Sequence, residues 1–139
     1  MSFLDAFQGY HQIPLALGDQ EKTIFEPPIG NYHYKVMPFR LKNAASTYQR
    51  MMTRIFEPPL GKNIEVYIDD MVVKSKVVSK HMGDLSNIFG ILRKHKLHFN
   101  ASKCSFDIGS GKFLGYMVTH HRIEVNPDQI RAINSLQPP

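Results

Sequence analysis

The stretch Ile64-Glu65-Val66-Tyr67-Ile68-Asp69-Asp70-Met71-Val72-Val73-Lys74 decides how the chain reads. Two runs rich in β-branched and aromatic residues meet at Asp69-Asp70, and a β-hairpin is the natural reading. Asp is a poor strand former and a standard turn residue, so the pair can serve as a plain turn. Adjacent carboxylates between apolar strands also repel each other, and burial worsens the repulsion. A divalent cation removes that cost, and carboxylate oxygens are the donors Mg²⁺ prefers. A third carboxylate, Asp5, stands inside its own apolar run, Phe3-Leu4-Asp5-Ala6-Phe7. A sheet that sets this run beside the hairpin brings three carboxylates together. Such a set can hold two Mg²⁺ ions and clamp both oxygens of an in-line phosphoryl transfer. Spacing leaves Asp5 open as a strand-end cap as well.

Working outward, Gln8-Gly9-Tyr10 breaks the first strand, and His11–Ile13 suits a short helical turn before Pro14. Residues 18–23 read as a polar loop or one helical turn. Thr23–Phe25 and Tyr32–Met37 suit strands, and Pro27-Pro28-Ile29-Gly30-Asn31 between them is turn chemistry, predicting a hairpin. Residues 41–56 read as a helix, with Ala44, Tyr48, Met51, Met52 and Ile55 on one face and Pro58-Pro59 and Gly61 ending it. Residues 79–97 give the clearest amphipathic pattern, with Met82, Leu85, Ile88, Phe89 and Leu92 as its stripe and Ser79 as its cap. Phe113–Val118 and Ile123–Val125 suit another hairpin, joined by His120-His121-Arg122. Asn126-Pro127-Asp128 caps a last helix over 127–136. The fold class expected is α+β: an antiparallel sheet with helices packed on one face.

Composition bounds the function. Of 139 residues, 42% are apolar and 21% charged, which is a globular balance. No apolar run approaches the ~18 residues that cross a bilayer, and the first residues lack the basic and apolar regions of a signal peptide. No membrane partner is expected. The single Cys104 forms no internal disulfide, so a reducing, cytoplasmic compartment is the default. Residues 71–139 carry ten Lys/Arg against four Asp/Glu, whereas residues 1–70 carry seven against eight. The basic half suits a polyanion such as nucleic acid, with Lys74, Lys76, Lys80, Arg93, Lys94 and Lys96 as candidate contacts. Those lysines also serve simply to solvate a helix face and a hairpin edge. His81, Cys104, His120 and His121 invite a zinc reading, but no Cys-x₂-Cys or His-x₃-His spacing supports it.

Five stretches, in order, resemble the motifs of reverse transcriptases. Phe3-Leu4-Asp5-Ala6-Phe7-Gln8-Gly9-Tyr10-His11-Gln12-Ile13 is similar to motif A. Met37-Pro38-Phe39-Arg40-Leu41-Lys42-Asn43-Ala44 through Gln49 is similar to motif B, and Tyr67-Ile68-Asp69-Asp70 to the Tyr-x-Asp-Asp box of motif C. Leu97–Cys104 resembles motif D, and Lys112-Phe113-Leu114-Gly115-Tyr116 motif E. The wording resembles the gypsy class of long-terminal-repeat retrotransposons, as found in plant genomes. The resemblance implies an RNA-directed DNA polymerase palm with part of the fingers. It implies Asp5, Asp69 and Asp70 as catalytic carboxylates, and two Mg²⁺ (or Mn²⁺ in substitution) held by them and the Ala6 carbonyl. Tyr10 matches the position under the incoming sugar, where a ring selects deoxynucleotides; on its own residue type it reads equally as a core aromatic. Phe39 matches a position beside the sugar, and Gln49 one facing the template-binding region. Arg40 falls within the same nucleotide-binding stretch. Lys103 matches a proposed general acid for pyrophosphate departure. Phe113, Leu114, Gly115 and Tyr116 match the hairpin that grips the primer. The implied partners are an RNA or DNA template with primer, deoxynucleoside triphosphates and the rest of a Pol polyprotein.

Two departures stand out. Arg40 replaces a usual Gly, and Ala45 a usual Pro. The first threatens close backbone approach to a nucleotide; the second loosens a helix start. The whole chain, 1–139, is expected to be a reverse transcriptase domain fragment, with a partial fingers hairpin at 17–40 and the start of a connection to an absent thumb at 126–139. The cut implies no polymerase activity for the fragment alone. The competing expectation is a non-catalytic retroelement remnant that binds nucleic acid through its basic half.

Overall fold

The computed structural model describes residues 1–120 and 122–135. Among these described residues, two three-stranded antiparallel sheets carry the fold. The first has the order β1 (Ser2–Asp5), β3 (Asp70–Val73), β2 (Ile64–Tyr67). The second runs β4 (Ser110–Phe113), β5 (Tyr116–Thr119), β6 (Ile123–Val125). Among the described residues four α-helices accompany them: α1 (Leu17–Gln20), α2 (Ala44–Ile55), α3 (His81–Lys94) and α4 (Pro127–Asn134). The α+β expectation holds.

Alternation assigns the two faces of the first sheet. Leu4, Met71 and Val66 form one cross-strand row, and Ile64 and Val73 another. These five are buried against Tyr48, Met52 and Phe56 of the α2 segment and Leu85, Ile88 and Leu92 of α3. The opposite face carries Phe3, Val72 and Glu65, then Asp5, Asp70 and Tyr67. Here the second sheet approaches. A Cβ on Gly111 of β4 would stand 2.5 Å from Cε2 of the Phe3 ring, so only glycine lets these strands meet.

Several elements differ from expectation. α3 starts at His81, after a 3₁₀ turn over Val78–Lys80, and Ser79 makes no cap. Its buried stripe is His81, Leu85, Ile88 and Leu92, while Met82 is 70% exposed. The cause is polar. His81 Nε2 meets Ser2 Oγ at 2.8 Å and its Nδ1 meets Ser75 Oγ at 3.1 Å, which draws this histidine inward. Lys96 at φ 55 ends the helical path early. The strand expected over 113–118 is two strands, because Leu114 and Gly115 turn back at φ 52 and 78. Of β4, only Phe113 was expected in a strand. The hairpin over 23–37 shrinks to one bridge, Phe25 to Tyr32, and Val36 instead bridges Pro14. Pro27-Pro28 supplies no amide to continue the ladder. The last helix matches over 127–134, with Asn126 Oδ1 accepting from the Asp128 amide at 3.1 Å. Residue 136 of that expectation lies outside the described residues, as do 136–139 of the connection expected over 126–139 and His121 of the zinc reading.

Candidate active site

β1 ends where β3 begins, and this places Asp5 directly across from Asp70. Asp69 occupies the two-residue turn with Ile68, and the Ala6 amide donates to Asp69 O at 2.9 Å. The three carboxylates predicted to converge thus sit at one end of one sheet. Beyond Asp5, Phe7 N donates to His98 O (3.1 Å) and Asn100 N to Asp5 O (2.8 Å), and neither bond takes the Ala6 carbonyl. These bonds tie the motif D segment to the edge of β1. They bring Lys103 Nζ to 3.8 Å from Asp5 Oδ2, a loose ion pair between an exposed lysine and a partly buried carboxylate. A cleft of about 90 Å³ follows, lined by Phe3, Asp5, Asp70, Lys103, Lys112 and Phe113 among others. Residues of motifs A, C, D and E meet there.

The electrostatics follow from burial first and then from crowding of like charges. Burial, then the charges of Asp5 and Asp70, push the Asp69 carboxyl above its ordinary value, and Lys103 opposes the shift. Burial and then Asp5 push Asp70 up, again against Lys103. Asp69 Oδ1 is buried with no hydrogen-bond partner. Hard carboxylate donors, crowded and partly unsatisfied, suit a hard divalent cation. Among the described residues, however, no three His, Cys, Asp or Glu side chains close on one point as a finished ligand set. The zinc reading has no support either, since both ring nitrogens of His81 face serines and Cys104 Sγ contacts Asn100 O.

The turn itself is held from α2. Gln49 Nε2 donates to Val66 O at 3.0 Å, and the Ile68 amide donates to Gln49 Oε1 at 2.7 Å. Ile68 sits at φ 51, where a β-branched residue is an outlier. Gln49, expected near the template, is therefore bonded to the turn backbone.

An aromatic wall stands beside the carboxylates. Tyr10 packs edge-on against Phe39 and Tyr48, each with centroids 5.4 Å apart, and Phe39 also meets His11 at 4.8 Å. Burial, then Asp69, raises the Tyr10 phenol pKa. Tyr10 is thus both core-packed and close to the acidic cluster. Arg40, next to the exposed Phe39, adopts φ 73, the left-handed region that favours glycine. Phe113 and Tyr116 pair across the Leu114-Gly115 turn.

Of the basic residues, Lys74, Lys76 and Lys80 lie past the far end of β3, with Lys62 and His120 in a groove of about 870 Å³. Four strand residues separate Lys74 from the Asp70 end, roughly 13 Å. Lys74 is also bound to Glu65 at 2.6 Å. These lysines do not line the carboxylate end. Arg93, Lys94 and Lys96 stand at the C-terminal end of α3.

Sequence reasoning missed two residues near the site. Gln12 spans two segments: its Nε2 donates to Phe7 O and His98 O, and its Oε1 accepts from His98 N at 2.7 Å. Its place in the motif A stretch was the available signal. Tyr48 was read only as part of an apolar stripe; its position directly before Gln49 was the signal.

Residues 1–118 match the family model for reverse transcriptase (RNA-dependent DNA polymerase). The chain is 36% identical over 132 residues to the retrovirus-related Pol polyprotein from transposon 297 of Drosophila melanogaster. It is 38% identical over 136 residues to that from transposon opus of the same organism. These alignments cover 95% and 98% of this chain but only 12% and 14% of the relatives. Among solved structures, the foamy viral protease-reverse transcriptase in complex with RNA/DNA hybrid aligns with TM-score 0.86, 20% identity, and 99% and 19% coverage of the two chains. A dRH form in complex with double-stranded DNA aligns with TM-score 0.90, 21% identity, and 99% and 24% coverage.

Proposed function

The chain belongs to the reverse transcriptase (RNA-dependent DNA polymerase) family, and from that premise we propose that its Asp5–Asp69–Asp70 end is a nucleotidyl-transfer site. The observation that carries this reading is the register of Asp5 opposite Asp70 with Asp69 in the adjoining turn. The reaction is attack by a primer 3′-hydroxyl on the α-phosphate of a deoxynucleoside triphosphate, with pyrophosphate leaving. Reverse transcriptases are divalent-metal enzymes as a class, and two Mg²⁺ bound by Asp5, Asp69, Asp70 and the Ala6 carbonyl would neutralise charge on the reacting phosphate.

The chain's own residues do the rest. Tyr10, backed by Phe39 and Tyr48, forms the floor for the sugar and meets a 2′-hydroxyl sterically. Arg40, at the rim, offers a guanidinium to the triphosphate in place of close backbone approach. Gln49 acts by fixing the Tyr67–Asp70 turn. Lys103 Nζ lies beside Asp5 and can pass a proton to the leaving pyrophosphate. The Phe113–Tyr116 turn faces the primer end across the cleft. Positioning and electrostatics account for most of the rate in such transfers. Residues 17–40 belong to the fingers, and 126–139 lead towards the thumb. The chain spans about an eighth of the length of the curated relatives it matches.

The test is a chimera in which residues 1–139 replace the matching segment of the transposon 297 Pol polyprotein. It is expected to extend a primer on an RNA template with Mg²⁺ and deoxynucleotides, and to lose that activity with Asp69→Asn. Extension that survives Asp69→Asn contradicts the reading.

A further inference from the structure

Tyr48 is fully buried, at 0% exposure, yet its hydroxyl has no hydrogen-bond partner. Asp69 Oδ1 is the other buried side-chain oxygen or nitrogen among the described residues left in that state. A buried polar atom without a partner is costly, so two of them in one protein call for a cause. Both occur in one place. A Cβ on Gly9 would stand 2.2 Å from Asp69 Oδ1 and 2.6 Å from Tyr48 Oη. Gly9 therefore opens a space that these two oxygens share, and they lie within the span of one bridging water. Burial, and then the charge on Asp69, push the Tyr48 phenol upward, so it remains a donor facing an acceptor.

We propose that the Tyr48 hydroxyl, directly or through one buried water, hydrogen-bonds Asp69 Oδ1 and so turns the other Asp69 oxygen outward to the reacting centre. The inference rests on the nucleotidyl-transfer reading for what that second oxygen meets. Tyr48 is a positioning residue: it touches neither primer nor nucleotide, and acts through Asp69. Three features cooperate in this. Edge-on packing against Tyr10 at 5.4 Å sets the ring, α2 fixes its height, and the absent side chain of Gly9 leaves the passage open. A phenylalanine would fill the same core volume and leave the carboxylate oxygen unheld. Gly9→Ala would place a methyl group inside contact distance of both oxygens.

Two measurements on the 139-residue chain test this. A crystal structure of the wild-type chain is expected to show Tyr48 Oη and Asp69 Oδ1 within hydrogen-bond distance, or one water bonded to both. Each oxygen bonded elsewhere overturns the proposal, whatever the variants do. Electron paramagnetic resonance then follows free Mn²⁺ as it is titrated into wild type and Tyr48→Phe. Unfolding midpoints in EDTA report stability separately. Removing such a supporting hydrogen bond is expected to weaken Mn²⁺ binding about tenfold. A purely structural role would move the midpoint and leave the Mn²⁺ affinity of the folded variant unchanged, and that result overturns the proposal. Wild-type chain that binds no Mn²⁺ contradicts the nucleotidyl-transfer reading instead, and the crystal structure still decides the Tyr48–Asp69 contact.

Discussion

Gln49 Oε1 accepts the amide hydrogen of Ile68 at 2.7 Å, and this bond holds a β-branched residue at φ 51 beside Asp69. The same side chain donates to Val66 O, so one amide on α2 grips both sides of the turn. A left-handed Ile costs on the order of 1–3 kcal/mol and persists only where its surroundings over-determine it. Gln49→Ala removes the clamp and leaves a half-buried amide without a partner. The variant is expected to lose about 1–3 kcal/mol in urea unfolding. Unchanged stability would mean that the strand ladder alone sets the turn.

Arg40 presents the opposite case, a left-handed residue at φ 73 that is exposed. Its conformation costs about 1–2 kcal/mol for a side chain and nothing for glycine, which in turn loses more entropy on folding. Arg40→Gly is expected to raise stability by roughly 0.5–1 kcal/mol. A loss, measured by the same unfolding, would show that the guanidinium makes a stabilising contact.

The two sheets meet where Phe3 lies over Gly111. Gly111→Ala forces a methyl group into the ring and is expected to cost about 1–3 kcal/mol. Phe3→Leu should recover part of that loss in the double variant. Equal losses with and without Phe3→Leu would place the strain elsewhere.

Asp69 and Asp70 both hold their protons more tightly in the fold than the ordinary carboxyl value of 3.8 allows, chiefly through burial and then through Asp5. The native state then binds more protons than the unfolded chain above that value. Stability therefore falls as pH rises from about 4 through the raised native values. In metal-free buffer Asp69→Asn is expected to match wild type below that window and to exceed it at neutral pH. Added Mg²⁺ should close the gap by stabilising wild type alone. A gap that is constant with pH would contradict this origin.

Much of the architecture was legible because it rests on local chemistry. Ile64–Lys74 folds back as a hairpin, with its turn at Ile68-Asp69, one position before the expected Asp69-Asp70, and the apolar run holding Asp5 needed a partner strand. Ala44, Tyr48 and Met52 announced the buried face of α2. What stayed hidden depends on distant partners. Met82 and His81 exchanged places because Ser2 and Ser75, far apart in sequence, supply hydrogen bonds to the imidazole. Most of β4 was hidden because Gly111 is small for the sake of Phe3, a contact across 108 positions that composition cannot express. In the site, the carboxylates were readable as residue types. The bonds from Gln49 to Ile68, and the space shared by Gly9, Tyr48 and Asp69, appear only once α2 lies against the hairpin.

The decisive measurement is isothermal titration of Mg²⁺ into the 139-residue chain, against Asp69→Asn and Asp5→Asn. Wild type is expected to bind, and both variants to lose binding or weaken it at least about tenfold, since each removes a proposed direct ligand. Equal Mg²⁺ binding by the wild-type and Asn chains, or none by the folded wild type, would contradict the nucleotidyl-transfer reading.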